Sequence, residues 1–129
     1  MKNQGYSKEA MKHFFNPKYA GEIKDANGIG QVGNASCGDI MKVYIQVEKD
    51  KIKEIKFKTL GCVAAIASSD AACEIAKGKT IKAAKKITDK DILKKVGNLP
   101  QIKHHCSLLG TQALRKAIND YETKSKIKK

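Results

Sequence analysis

The chain has 129 residues, a hydrophobic fraction of 41% and a charged fraction of 30%, values typical of one globular domain with its own core. We predict a single domain over residues 1–129, with its core at about 16–121 and a flexible lysine-rich tail at 122–129. No run approaches the roughly 18 apolar residues that a membrane span needs. The first residues lack the apolar segment of a signal peptide, so we expect a cytoplasmic protein with reduced cysteines.

The net charge of +13 suggests nucleic-acid binding, but the kind of charge argues against it. Of the 26 basic residues, Arg115 is the only arginine, whereas recognition of bases and phosphates favours the planar guanidinium group. Aromatic residues make up 5% of the chain and do not alternate with the basic ones as in a stacking surface. We therefore expect that nucleic acid is not a partner.

The N-terminal third has one clear helix signal. Residues 6–15 have helical periodicity and end at Asn16-Pro17. Tyr19 to Ile23 is compatible with a short strand, and the glycine-rich passage from Gly21 to Gly38 is predicted to be a loop. Within it, residues 28–33 resemble a dinucleotide-binding fingerprint but lack the preceding apolar strand and the following helix, so we reject that interpretation.

Strict alternation after Asp39 predicts an antiparallel hairpin, with its turn at Lys49 to Lys51. The second strand contains Ile55 and Phe57. The first strand has one apolar and one largely polar face: Met41, Val43, Ile45 and Val47 on the former, and Lys42, Tyr44, Gln46 and Glu48 on the latter.

Helical periodicity dominates the remainder. A helix is predicted from Cys62 to a stop at Gly78, followed by short helices near 80–86 and 88–96 with Thr80 and Thr88 as N-caps. The last helix is predicted to begin at 104–107 and to end near Tyr121. Its expected buried residues are Leu109, Ala113, Leu114, Ala117 and Ile118.

Cysteines lie at the predicted junctions between elements. Cys37 and Asp39 are two apart in an extended segment and can share a face. Cys62 and Cys106 begin helices, where the helix dipole favours the thiolate that binds metals and attacks sulfur. Cys73 is three helical turns, about 16 Å, beyond Cys62, too far to share a metal centre with it, and is assigned to the core.

The remaining candidate ligands are Cys37, Asp39, Cys62, His105 and Cys106, with His104 adjacent. Their spacing matches no zinc knuckle or ferredoxin motif. From the chemistry alone, three ordinary packed thiols explain the cysteines as well as a metal site does. The choice between the two histidines also stays open.

The motifs around these residues resemble the iron–sulfur cluster assembly scaffold family, the IscU/NifU-like proteins, in its stand-alone form. The matching segments occur in order over about 16–121: Ala35-Ser36-Cys37-Gly38-Asp39, Thr59-Leu60-Gly61-Cys62, Ala65-Ile66-Ala67-Ser68-Ser69, Lys77-Gly78-Lys79-Thr80 and His105-Cys106-Ser107. The resemblance implies an α+β fold, with a small antiparallel sheet of about three strands and helices packed on one face.

The resemblance also implies a function. The chain would be a non-enzymatic scaffold that holds a labile [2Fe–2S] cluster on Cys37, Cys62 and Cys106, completed by Asp39 or His105. Cys106 would accept sulfur from a cysteine desulfurase, and an iron donor, an electron-donating ferredoxin and apo iron–sulfur proteins would be further partners. A carboxylate or imidazole ligand is easier to displace than a thiolate, which suits transfer.

One segment departs from the family pattern. The chaperone-recognition motif Leu-Pro-Pro-Val-Lys reads Leu99-Pro100-Gln101-Ile102-Lys103 here, which puts an Hsp70-type partner in doubt. Two alternative functions use the same residues. One is a stable zinc protein, since three thiolates plus Asp39 or His105 satisfy tetrahedral zinc. The other is a sulfur carrier that uses Cys106 alone.

Overall fold

A computed structural model describes residues 8–34, 39–60, 63–96 and 104–127 of the chain. A three-stranded antiparallel sheet of order β1-β2-β3 forms its centre. Five helices accompany the sheet in the described part, which confirms the predicted α+β class. The elements are α1 (Lys8–Phe15), β1 (Gly28–Asn34), β2 (Asp39–Glu48), β3 (Lys51–Leu60), α2 (Val63–Ala76), α3 (Ile81–Ala84), α4 (Asp89–Lys95) and α5 (His104–Ile127).

The strand register aligns the ends of all three strands. Asn34 at the end of β1 pairs with Asp39 at the start of β2, and Ile40 pairs with Leu60 at the end of β3. We call the end of the sheet marked by Asn34, Asp39 and Leu60 its upper end. The β2–β3 turn, at the lower end, places Lys49 and Asp50 at φ 54° and 66°, the positive values that a tight hairpin turn of this kind requires.

The predicted faces of the hairpin are confirmed. Apolar residues of β2 and β3 lie against the helices in the core: Met41, Val43, Ile45, Val47, Ile52, Ile55 and Phe57 are at most 7% exposed. Tyr44 is an exception, because it lies on the other face and is also buried. The Lys42 ammonium lies 5.2 Å from its ring centroid, so this face is partly covered by its own side chains.

The glycine-rich passage contains a strand, so its prediction as a loop is wrong for residues 28–34, whereas residues 21–27 form turns and bends as predicted. β1 pairs along its whole length with β2. A Cβ on Gly28 would lie 2.5 Å from the Ala117 carbonyl oxygen, and one on Gly30 would lie 2.3 Å from both the Ala113 oxygen and the Ala117 nitrogen. Glycine is therefore needed because the backbone of α5 lies directly on the strand.

The outer edge of β1 is covered by side chains of α5. The backbone N–H of Ile29 donates to Asp120 Oδ2 at 2.9 Å, and Lys116 Nζ donates to the Gln31 carbonyl at 3.4 Å. Burial acts to raise the pKa of the Asp120 carboxyl, but the Ile29 N–H and Lys124 outweigh it, so the pKa is lowered. These contacts satisfy part of the strand edge that would otherwise pair with another chain.

The helix predictions hold, with differences at the ends. Helix α1 ends at Phe15, before Asn16-Pro17, and α2 ends near Gly78, whose φ is +84°. Thr80 and Thr88 cap α3 and α4, and Thr88 forms a capping box with Asp91.

Helix α5 continues to Ile127, so its predicted end near Tyr121 is wrong. Two ion pairs support the extra turns, Lys85–Glu122 at 2.7 Å and Lys124–Asp120 at 3.0 Å. Four predicted core residues of α5 are confirmed as buried: Ala113, Leu114, Ala117 and Ile118. The side chain of the fifth, Leu109, lies outside the described residues.

The segment Tyr19 to Ile23 is not a strand. It contributes one parallel bridge, Ala20 to Phe57, and two backbone hydrogen bonds, from Phe57 N to Tyr19 O and from Gly21 N to Phe57 O. Across the ranges described above, no helix is long and apolar enough to cross a membrane.

Candidate functional site

The predicted ligands lie at or next to the ends of described elements. Asp39 is the first residue of β2, and His105 and Cys106 are in the first turn of α5, after His104. Cys37 and Cys62 lie outside the described residues, as do the side chains of Asp39, His104, His105 and Cys106. In sequence, Cys37 is two residues before β2, and Cys62 falls between the end of β3 and the start of α2.

Helix α2 runs antiparallel to β3 and begins at the upper end of the sheet. Its contacts with β3 move down the strand as the helix advances. Ser69 contacts Thr59 through a hydrogen bond of 2.7 Å, Lys77 forms an ion pair with Glu54, and Gly78 N donates to the Ile52 carbonyl at 2.9 Å. The N-terminus of α2 therefore lies at the upper end.

Helix α5 begins at the same end. It contacts Gly28 through Ala117 and Gly30 through Ala113 and Ala117, so its residue numbers decrease as β1 rises towards Asn34. β1 and β3 both run towards the upper end, because each is antiparallel to β2. The two long helices are thus parallel, and both direct the positive ends of their dipoles to the upper end.

The two helices contact each other at Gly110. A Cβ on this residue would lie 3.6 Å from the Ser68 carbonyl oxygen and 3.8 Å from Ala72 Cβ. Gly110 is six residues into α5 and Ser68 is five residues into α2, so each helix extends about 8 Å from this crossing to its first residue. The N-terminal turns of α2 and α5 therefore reach a similar height above the sheet.

A hydroxyl pair fixes α2 on β3 near the upper end. Ser69 Oγ donates to the Ala65 carbonyl at 2.8 Å, which uses its single proton. Thr59 Oγ1 therefore donates the 2.7 Å bond between the two hydroxyls. Next to this pair, Leu60 is 69% exposed, so the upper end presents an apolar side chain as well as polar backbone.

Cys73 is a core residue, as its distance from Cys62 predicted. It is fully buried and unpaired. Burial raises the pKa of its thiol well above the usual value, with a further contribution from Asp70. A thiol of this kind is a poor nucleophile and metal ligand.

Sequence reasoning missed a buried polar contact between α1 and α2. Asp70 is 1% exposed, its Oδ2 lies 2.6 Å from His13 Nδ1, and its Oδ1 accepts from Tyr19 N at 3.0 Å. The one available signal is an aspartate among small residues in the middle of an apolar helix. This contact anchors the N-terminal helix and does not gather a metal site. Among the side chains that the structure describes, no group of three or more His, Cys, Asp or Glu could hold a metal ion.

Comparisons with known proteins agree with this architecture. The family model described as the NifU-like N terminal domain matches residues 5–128. The chain is 52% identical over 120 residues to iron–sulfur cluster assembly scaffold protein IscU 1 of Archaeoglobus fulgidus, which covers 93% of this chain and 78% of that protein. It is 47% identical over 118 residues to IscU of Aquifex aeolicus, with 90% and 75% covered.

Solved structures share the fold. A crystal structure of a proposed SUF-system iron–sulfur cluster assembly scaffold from Fervidobacterium islandicum aligns with a TM-score of 0.71 at 25% identity, over 88% of this chain and 96% of that one. A NifU-like protein (N-terminal) from Brucella abortus aligns with a TM-score of 0.70 at 20% identity, over 92% and 94%. The second likeness concerns the fold alone.

Proposed function

Because the chain belongs to the NifU-like N-terminal domain family, we propose that it is a scaffold that assembles an iron–sulfur cluster and passes it to acceptor proteins. The observation that carries this proposal is the match at 52% identity, over 93% of the chain, to a relative named as such a scaffold. The backbone supports it, because the described elements that bracket the candidate ligands end or begin at the upper end of the sheet. We further propose that the chain is not itself an enzyme.

We propose that the cluster is a [2Fe–2S] cargo bound by Cys37, Cys62 and Cys106, with Asp39 or His105 as the fourth ligand. Two parallel helix N-termini at the upper end favour anions there, and thiolates and cluster sulfides are anions. A set with one oxygen or nitrogen ligand holds iron less firmly than four thiolates do. Such a ligand set suits a cluster that must be transferred to an acceptor protein.

Sulfur delivery follows from thiol chemistry. We propose that the Cys106 thiolate attacks the outer sulfur of a persulfide on a cysteine desulfurase, which leaves as a thiolate while Cys106 becomes the persulfide. Conversion of that sulfur to sulfide consumes two electrons, so a reductant such as a ferredoxin is a required partner. These steps need reduced thiols, which is consistent with a cytoplasmic location.

Anaerobic reconstitution tests the proposal. The protein is incubated with ferrous iron, cysteine, a cysteine desulfurase and a reductant, and thiolate-to-iron charge-transfer absorption is followed before transfer to apo-ferredoxin. We expect wild type to assemble and transfer a cluster, and we expect Cys37→Ser, Cys62→Ser and Cys106→Ser to lose assembly. Cys73→Ala is the matched control and should assemble normally, because its thiol is buried in the core.

The proposed lability has its own test. Asp39→Ala should give a more persistent cluster and slower transfer. Transfer at the wild-type rate would contradict the role of Asp39. Stoichiometric zinc that resists replacement by iron would instead favour the stable zinc protein.

A further inference from the structure

A groove at the lower end of the molecule is lined by lysines. It lies between the C-terminal half of α2 and the segment that contains α3 and α4, with a volume of about 670 Å³. We call it the lysine groove and define it by Lys79, Lys82, Lys86 and Lys94 around a floor that includes Ile75 and Ile87. Ile75 is twelve residues beyond the first residue of α2, about 18 Å along the helix. The groove is therefore separate from the upper end.

Most of the lysines that line the groove have no carboxylate partner. The segment from Lys77 to Lys95 contains eight lysines and two aspartates. Three of the eight, Lys77, Lys85 and Lys95, are paired with glutamates from other parts of the chain. Five described lysines line the groove. Within the described ranges, the four that define it make no ion pair, and the fifth, Lys95, is paired with Glu74. Four ammonium groups around one concavity repel each other, and an anionic occupant would relieve that repulsion.

The one carboxylate that lines the described part of the groove is already engaged. Asp91 Oδ2 accepts from the backbone N–H of Thr88 at 2.9 Å and from its hydroxyl at 3.2 Å, as part of the capping box of α4. It is therefore held at the helix terminus, and its single negative charge is outnumbered by the four unpaired lysines of the groove. The net field in the groove is positive.

The floor distinguishes between kinds of anionic partner. Ile87 is 4% exposed, Ile75 is partly buried and Ala83 is exposed, so Ile75 and Ala83 provide most of the apolar surface that a partner could bury there. Among the described residues, the lining contains no arginine and no aromatic ring, the residues that read and stack nucleic-acid bases. A lipid surface is best met by a protruding apolar face, and this one is recessed.

We propose that the lysine groove docks an acidic amphipathic helix of a partner protein, with apolar side chains on the isoleucine floor and carboxylates among the lysines. This is the arrangement of helix-in-groove recognition. The inference does not depend on the proposed function, because docking uses the lower end and requires no metal.

The test uses a fluorescein-labelled peptide of three Glu-Glu-Leu-Leu repeats, titrated with the full chain at about 0.15 M salt and followed by fluorescence anisotropy. Lys82→Glu/Lys86→Glu should weaken binding about tenfold or more, because two attractive contacts become repulsive. The matched control is Lys8→Glu/Lys24→Glu, which has the same net charge and changes two exposed lysines outside the groove. It should bind within about twofold of wild type.

Two further measurements separate the floor from the charge. Ala83→Gln enlarges an exposed apolar side chain in the groove lining without changing the charge, and should weaken the same peptide several-fold by occupying part of the groove. An all-glutamate peptide of equal length should bind more weakly than the amphipathic one. Thermal unfolding checks that each variant is folded. If Lys82→Glu/Lys86→Glu does not fold, Ala83→Gln still tests the proposal.

The proposal would be overturned by any of four results. The first two are no detectable binding of the amphipathic peptide and an equal loss of affinity in the groove and control double variants. The third is an affinity for the all-glutamate peptide equal to that for the amphipathic peptide. The fourth is an affinity for single-stranded RNA that exceeds the affinity for the peptide and is lost with Lys82→Glu/Lys86→Glu. The last result would assign the groove to nucleic acid instead.

Discussion

Substituting alanine for Gly30 should strongly destabilise the fold. The added Cβ would lie 2.3 Å from two backbone atoms of α5, whereas non-bonded carbon contacts are optimal near 3.5–4.0 Å. Backbone atoms cannot rotate away, so α5 would have to move off the sheet by about 1 Å. The facing side chains of α5 are fully buried and would lose packing: Ala113, Leu114, Ala117 and Ile118.

The expected cost follows from this displacement. Overpacking a core typically costs about 1–3 kcal/mol, and here a helix must move rather than one side chain. We expect Gly30→Ala to reduce the free energy of unfolding by about 3 kcal/mol or more, a large share of the 5–15 kcal/mol typical of a domain. Urea denaturation followed by circular dichroism measures it.

Gly110→Ala is the matched control, because Gly110 is also buried and also lies where α5 packs closely. Its added Cβ would meet its nearest neighbour, Ile92 Cδ1, at 3.4 Å, close to ordinary contact. In a helix, alanine is favoured over glycine by about 0.5–1 kcal/mol, so this variant should be neutral or slightly more stable. A loss below about 1 kcal/mol for Gly30→Ala, or an equal loss in both variants, would refute the close-approach argument.

Three other predictions follow from contacts described above. Asp120→Asn should reduce the free energy of unfolding by about 1 kcal/mol at neutral pH. Because the pKa of this carboxyl is lowered in the folded state, the difference from wild type should be present above the unfolded-state pKa near 3.9 and shrink as pH falls through the folded-state pKa. Urea denaturation at several pH values measures it. His13→Ala should cost about 3 kcal/mol by leaving the Asp70 carboxylate buried with one partner, and a double variant with Asp70→Ala should lose less than the sum of the single losses. A saturating amount of the Glu-Glu-Leu-Leu peptide should leave the rate of cluster assembly unchanged, because the two sites are at opposite ends; inhibition would show that they are coupled.

Most of the fold was predictable because its signals are local. Neighbours in the sequence determine each of these signals: the alternation in β2 and β3, the small residues of α2, the stop at Gly78 and the caps Thr80 and Thr88. β1 was missed because its glycines are determined by the distant backbone of α5, and glycine carries a low strand propensity. The last turns of α5 were missed for a similar reason, since the Glu122 ion pair involves Lys85, the C-cap residue of α3, which is far away in the sequence.

The candidate site was predictable in composition and less so in arrangement. Distance along one helix was sufficient to exclude Cys73, because helix geometry is fixed. Periodicity, in contrast, does not show that α2 and α5 are parallel with both N-termini at one end, since that depends on the order and direction of three strands. The His13–Asp70 contact spans 57 residues and has no local signature.

The close approach of α5 to β1 links the fold to the proposed function. Because Gly28 and Gly30 have no side chains, α5 lies directly on the sheet, and Gly110 lets it contact α2 near Ser68. Both positive helix ends are then at the upper end, where anionic ligands are stabilised. The negative end of α2 lies at the lower end, close to the lysine groove, where cations are favoured. Because α2 and α5 run antiparallel to β3 and β1, the end of the molecule that stabilises anions is separate from its lysine-rich end. A partner docked at the lower end would leave the proposed cluster ligands accessible to a sulfur donor.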